Sequence, residues 1–148
     1  MEHSSKYARI LAPVDGTEEA QRAVRLAGQL ASVLASTLDF LYVSPFDACT
    51  DEGRVPWLPD SIVRPAAEEA HEIFAAAAEL LPDGITYTPH HLTGAPADEI
   101  LRFIDETGTG LVVIGGRKHS RVSGIFLGSV TQTVLERAHC TVIVAGGV

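Results

Sequence analysis

The sequence LVVIGGRKHSRVSGIFLGS, residues 111–129, decides the fold of this chain. Its four apolar residues, 111–114, predict a buried strand that ends at Gly115-Gly116. After a polar, basic segment, Gly128 and Ser129 begin a helix with apolar residues at helical spacing. Free amides at the start of a helix can bind an anion, and glycine lets a ligand approach the backbone closely. The stretch therefore predicts a strand, a loop and a helix with a candidate anion site.

The same alternation of strand and helix extends through the rest of the chain. Apolar runs predict strands at residues 8–14, 38–43, 85–92, 111–114 and 141–145. Helices are predicted after Thr17, with Pro65 in the first turn of the second, from Pro96 and from Gly128. This order predicts an α/β fold, a five-stranded parallel sheet with helices on both faces. Pro89 lacks a backbone donor, which places the third strand at an edge of the sheet.

Ligands of such sheets bind beyond the carboxyl ends of the strands, where the strand order reverses. Residues 44–59 follow the second strand and are rich in Pro, Gly and Asp. This loop is long for a compact domain, so we expect it to be either mobile or functional.

Composition and charge indicate one globular domain over residues 1–148, with residues 1–6 as a polar N-terminal tail. Hydrophobic residues make up 46% of the chain and charged residues 20%. The net charge of -8 argues against nucleic acid as a partner, because an acidic surface repels phosphate backbones. A local pocket of amides and basic side chains can still bind a small anion.

Cysteine use and hydropathy predict a cytoplasmic protein. Cys49 and Cys140 show no CxxC or metal-site spacing, and two isolated thiols suggest a reducing compartment. No apolar run approaches the roughly 20 residues that span a bilayer, so we expect no membrane insertion. His90 and His91 are neighbours on a strand and point to opposite faces, so we predict no metal site there.

The basic loop after Gly115 has two interpretations. Arg117 and Lys118, with His119 and Arg121, concentrate positive charge in an acidic protein, which suits a polyphosphate. Surface basic residues are usually solvated, however, and a loop before a helix often carries Gly for the turn and Ser for the cap. The loop alone leaves the two interpretations about equally weighted.

Three segments together carry a family resemblance. Gly115 and Gly128-Ser129 keep the spacing of a motif with Gly, two residues, Gly, nine residues and Gly-Ser or Gly-Thr. Residues 10–17, ILAPVDGT, supply a matching first strand and turn, and residues 134–144, VLERAHCTVIV, a matching end. Over nearly its whole length the chain resembles the universal stress protein family. One motif position departs from the family, because Lys118 replaces the second glycine.

The resemblance implies a Rossmann-like fold of the adenine nucleotide alpha hydrolase type, with strand order 3-2-1-4-5. It implies an adenine nucleotide site in which Asp15 faces the ribose, although turn chemistry alone would also explain Asp15-Gly16. With the basic loop included, the candidate binding residues are Pro13, Asp15, Val43, Gly115, Arg117, Lys118, Gly128, Ser129 and Val130. The expected ligand is ATP, with or without Mg²⁺, and AMP and ADP stay open.

The resemblance also implies a regulatory role and a homodimer through the last strand, at Val142, Ile143 and Val144, with higher oligomers and an unidentified protein partner left open. Two alternatives stand beside ATP-dependent regulation. The first is a dimeric scaffold without nucleotide, because Lys118 cannot cheaply adopt a glycine conformation. The second is a slow ATPase, although no GxxxxGK[ST] loop and no paired carboxylates for Mg²⁺ are visible, so we expect no catalytic residues.

Overall fold

The computed structural model describes residues 5–44, 60–116 and 128–146, with side chains omitted for residues 60–66. Its centre is a five-stranded sheet in the order β3-β2-β1-β4-β5 in which every pair of neighbours is parallel. The strands are β1 (Arg9–Pro13), β2 (Thr37–Ser44), β3 (Thr88–Thr93), β4 (Leu111–Gly115) and β5 (Thr141–Ala145). The predicted fold class and strand order are confirmed, and β3 with Pro89 lies at an edge as expected.

Four helices connect the strands within the described residues, namely α1 (Glu18–Leu34), α2 (Asp60–Ala78), α3 (Pro96–Thr107) and α4 (Ser129–Arg137). Thr17 caps α1 as predicted, because its hydroxyl accepts a hydrogen bond from the Ala20 amide at 3.2 Å. Pro96 opens α3 and Gly128 caps α4, also as predicted. None of the described helices is both long and apolar enough to cross a bilayer.

The sheet buries both of its faces, which is why its strands are almost continuously apolar. Ile10, Phe40 and Val113 belong to one core, which packs against α1 and α2. Leu11, Leu41 and other alternate residues belong to a second core, which packs against α3 and α4. The sheet therefore has helices on both faces. The helices begin near the carboxyl ends of the strands that precede them.

Two predicted boundaries were wrong. The helix expected to begin near Pro65 begins at Asp60, so Pro65 is the sixth residue of α2 rather than a residue of its first turn. Proline commonly marks the start of a helix, but no local pattern indicated that the residues before Pro65 are also helical. The third strand, expected from Ile85, begins at Thr88, because the Ile85 amide closes a turn on the Pro82 carbonyl at 3.2 Å.

Candidate functional site

A cavity of about 260 Å³ lies at the carboxyl ends of the central strands. β1 and β4 are neighbours in the sheet. The connection after β1 runs toward β2 on one side, and the connection after β4 runs toward β5 on the other side, so a crevice opens between these two connections. The cavity is lined by the ends of three strands and the first turns of three helices: Pro13, Val14, Asp15, Thr17, Glu19, Ala20, Leu41, Val43, Pro96, Ile100, Ile114, Gly115, Gly128, Ser129, Val130 and Thr131.

The structure brings together most of the residues that the sequence singled out. Around this one cavity lie Pro13, Asp15, Val43, Gly115, Gly128, Ser129 and Val130. The remaining two candidates, Arg117 and Lys118, lie outside the described residues. Residues that are more than 110 positions apart in the chain therefore share one crevice, as expected for the switch point of a parallel sheet.

Asp15 has a structural task at the rim of the cavity. Its Oδ1 atom accepts hydrogen bonds from the Thr17 amide at 3.0 Å and from the Thr17 hydroxyl at 2.6 Å. These bonds fix the turn between β1 and α1, as turn chemistry predicted. Asp15 is nevertheless exposed and lines the cavity, so the same carboxylate is held where a ligand hydroxyl can reach it. The two interpretations of Asp15 are compatible.

Gly128 and the first turn of α4 present unpaired backbone donors to the cavity. The first bond within the helix runs from the Gln132 amide to the Gly128 carbonyl at 2.9 Å, so the amides of residues 129–131 have no partner in the helix. Gly128 provides no side-chain cap, and the first turn of α4 contains no acidic residue. A phosphate group placed here would meet both free amides and the positive end of the helix dipole.

The fold itself gives no reason for a glycine at position 128. Its backbone angles, φ -61° and ψ 156°, are open to any residue, and an added Cβ would meet no heavy atom of the described residues within 4 Å. The empty space beside Gly128 belongs to the cavity rather than to a packed neighbour. Glycine at this position leaves the backbone at the start of α4 accessible from the cavity.

Gly115 serves a different purpose. An added Cβ would lie 2.4 Å from the Glu19 carbonyl oxygen and 2.9 Å from the Ala20 amide nitrogen. The first turn of α1 therefore rests directly on the end of β4, and only glycine permits that approach. This contact, which the sequence did not reveal, brings the start of α1 to the edge of the cavity.

Thr131 is a site residue that the sequence analysis missed. Its hydroxyl donates a 2.6 Å hydrogen bond to the Gly115 carbonyl, and the residue is 6% exposed. The bond joins the first turn of α4 to the end of β4 across 15 intervening residues. A spacing signal existed, because Thr131 lies three residues before Val134 and shares its buried face, but a polar residue is not counted in an apolar stripe.

Part of the cavity lining is apolar, and we call this part the apolar wall. It consists of side chains from the ends of β2 and β4 and the first turn of α3: Leu41, Val43, Pro96, Ile100 and Ile114. Apolar surface with a few convergent polar groups is typical of small-molecule sites. The only ionisable side chains that line the cavity within the described residues are the carboxylates of Asp15 and Glu19.

Outside the cavity, Asp39 forms a separate polar cluster. The carboxylate is buried and binds Arg9 at 2.6 Å and His90 at 2.9 Å, and the Phe103 ring packs against both partners. His91, the residue after His90, packs instead against the Tyr42 ring on the other face of the sheet, as the strand geometry predicted. In the described part of the chain, no group of three or more His, Cys, Asp or Glu residues could hold a metal ion.

Sequence comparisons connect this site to a known family. The model of the universal stress protein family matches residues 6–146. A universal stress protein of Methanocaldococcus jannaschii is 28% identical over 141 residues, covering 93% of this chain and 81% of the relative. A universal stress protein of Thermus aquaticus is 30% identical over 141 residues, covering 93% of this chain and 97% of the relative.

Solved structures give the same result for the fold. The universal stress protein of Archaeoglobus fulgidus superposes with a TM-score of 0.70 at 25% identity, covering 93% of this chain and 98% of that chain. A universal stress protein in complex with cAMP has a TM-score of 0.67 at 24% identity, covering 95% and 97% of the two chains. An Archaeoglobus fulgidus universal stress protein in complex with dAMP has a TM-score of 0.64 at 23% identity, covering 95% and 98%.

The resemblance seen in the three sequence segments thus extends over residues 6–146 and over the whole sheet. This chain belongs to the universal stress protein family.

Proposed function

We propose that this protein binds an adenine nucleotide, with ATP the expected ligand, and acts as a regulator through the conformation that the nucleotide stabilises. The observation that carries the proposal is the shared cavity, where the end of β1, the end of β4 and the amide-rich start of α4 meet. Related proteins that hold cAMP and dAMP support an adenine ligand.

The chemistry of the lining residues suggests how a nucleotide would be held. The amides of Gly128, Ser129 and Val130, with the Ser129 hydroxyl, would donate to phosphate oxygens. Asp15 would accept from the ribose hydroxyls, and the apolar wall near Val43 would contact the base. Arg117 and Lys118 complete the proposal as cationic partners of the phosphates. The carboxylates of Asp15 and Glu19 make such cationic help, or a divalent cation, necessary for a triphosphate.

Regulation requires that the nucleotide prefer one conformation over another. We infer that an occupied cavity favours one conformation of the protein and so changes a surface that a protein partner reads. From the family resemblance we propose a role in the stress response, and we expect this protein in the cytoplasm as a single domain. As in the sequence analysis, we expect no catalytic residues and at most slow hydrolysis.

The test is isothermal titration calorimetry of the purified protein with ATP, ADP, AMP and cAMP, and with GTP as the comparison. We expect saturable binding of at least one adenine nucleotide and weaker binding of GTP. Gly128→Arg should abolish binding by filling the space beside the first turn of α4. Gly146→Arg is the matched control, because its Cβ also has no heavy atom within 4 Å but the residue does not line the cavity. Absence of binding at millimolar nucleotide, or equal loss in both variants, would refute the proposal.

A second candidate function is that of a dimeric scaffold, and one observation favours its dimeric part. Among the described residues β5 pairs only with β4, at an edge of the sheet, and Val142, Ile143 and Val144 remain partly exposed. An unpaired apolar edge can pair with a second copy of the strand. Ile143→Lys should then shift the mass measured by sedimentation from dimer to monomer. A wild-type chain that sediments as a monomer at all concentrations would exclude the dimer.

A further inference from the structure

The end of β4 is held from several directions at once. The Gly115 backbone packs against the first turn of α1, and the Gly116 amide donates to the Ala145 carbonyl of β5 at 3.1 Å. The Gly115 carbonyl accepts from the Thr131 hydroxyl at 2.6 Å. Of these contacts, only the bond from Thr131 reaches α4, the helix whose amides face the cavity.

Thr131 lies in the first turn of α4, which begins at Ser129, so no carbonyl of the same helix lies one turn before it. Threonine and serine hydroxyls in helices commonly bond to a carbonyl one turn earlier in the same helix. Thr133 does this, because its hydroxyl donates to the Ser129 carbonyl at 2.8 Å. Thr131 instead turns inward, is 6% exposed, and bonds to a different element. The burial and the short distance make this a specific tertiary contact.

The contact sets the direction of the phosphate donors. α4 is only nine residues long, and the amides of residues 129–131 lie in the same turn as the Thr131 side chain. A bond in that turn fixes the distance between these amides and the end of β4, which forms the floor of the cavity beside Gly115. Donors held in place before the ligand arrives bind it more tightly than donors that must be ordered by it.

We propose that the Thr131 side chain is a positioning group for the nucleotide, one whose hydroxyl holds the first turn of α4 against β4 without itself bonding to the phosphates. This inference rests on the proposed function, because it concerns the same cavity. It assigns a specific part of the affinity to a hydroxyl that points away from the ligand, toward the Gly115 carbonyl. The methyl group of threonine has no share in that role.

The experiment compares three variants by calorimetry with the adenine nucleotide that the wild-type protein binds best. Thr131→Val keeps the size and shape but removes the donor, and we expect its Kd to rise about tenfold, as the loss of a buried hydrogen bond allows. Thr131→Ser keeps the hydroxyl and should bind within about twofold of wild type. Thr133→Val, the matched control on the same helix, should also stay within about twofold.

Circular dichroism and thermal melting of each variant separate positioning from folding. A hydroxyl with a purely structural role would lower Tm and leave the Kd of the folded protein unchanged. Should Thr131→Val not fold, Thr131→Cys replaces it, because a thiol is only a weak donor and we expect the same weakened Kd.

Three outcomes overturn the inference while the proposed function stands. They are a Kd for Thr131→Val within twofold of wild type, an equal loss in Thr133→Val, and a Kd for Thr131→Ser as weak as that of the valine variant. A wild-type protein that binds no adenine nucleotide overturns the proposed function, and the positioning role with it.

Discussion

The close approach of α1 to the end of β4 can be tested by one methyl group at Gly115. In Gly115→Ala the new Cβ would lie 2.4 Å from the Glu19 carbonyl oxygen and 2.5 Å from its carbonyl carbon. Both are backbone atoms in the first turn of α1, so no side chain can rotate to make room and the helix itself must move. Overpacking costs typically about 1–3 kcal/mol, and a backbone clash belongs at the upper end.

A smaller effect of opposite sign must be subtracted. Alanine restricts the unfolded chain more than glycine does, which stabilises the fold by about 0.4–1 kcal/mol. The net loss is therefore about 2 kcal/mol. For 148 residues the unfolding entropy is about 0.3 kcal/mol/K, so we expect Tm to fall by about 6–7 °C.

The control lies in the same cavity. Gly128→Ala introduces the same methyl group where no heavy atom lies within 4 Å, so its Tm should stay within about 2 °C of wild type. Its nucleotide affinity should nevertheless fall, because the methyl group occupies space beside the α4 amides. Differential scanning calorimetry of both variants decides the matter. If Gly115→Ala has the same Tm as Gly128→Ala, the contact between α1 and β4 does not exist as described.

Three further predictions concern the stability of the fold and the reactivity of one thiol. Thr17→Ala removes the cap of α1 and should lower the free energy of unfolding by about 1 kcal/mol in urea titrations, with Thr17→Ser restoring most of it. Asp39→Asn should cost about 1–3 kcal/mol, because the buried carboxylate loses its charged bond to Arg9, and an unchanged urea midpoint would contradict the cluster. Burial, and secondarily the charge of Asp105, raises the pKa of the Cys140 thiol. In a Cys49→Ser variant, in which Cys140 is the remaining cysteine, alkylation of Cys140 at pH 8 should therefore be slower in the folded protein than in urea. The same shift means that stability is full below the unfolded-state thiol pKa and declines as pH rises through the folded-state value, which a Cys140→Ser variant should not show.

The order of elements and the place of the cavity could be predicted because both follow from local patterns. Apolar runs that end in Asp15-Gly16 and in Gly115-Gly116 mark where strands stop, and parallel sheets collect those ends at one edge. Gly128-Ser129 marked the start of α4, because a glycine and a serine directly before apolar residues at helical spacing are typical of a helix N-terminus.

What the sequence did not reveal depends on contacts between distant segments. The hydrogen bond from Thr131 to Gly115 and the packing of Glu19 on Gly115 join residues that no periodicity relates. Asp39 looked like an interruption in an apolar strand, yet its partners come from β1 and β3. The start of α2 was misplaced because Pro65 is a strong local marker that the tertiary structure overrides.

The position of β1 in the middle of the sheet has a consequence for synthesis. This strand precedes the other four in the sequence, but its partner on one side, β4, begins only at Leu111. Until then a nascent chain can complete only the half of the sheet made by β1, β2 and β3, and the other side of Ile10 and Leu11 stays uncovered. Until β4 has been synthesised, the growing chain thus exposes an apolar strand edge, a condition that favours aggregation, and the cavity is complete only after the first turn of α4 has followed.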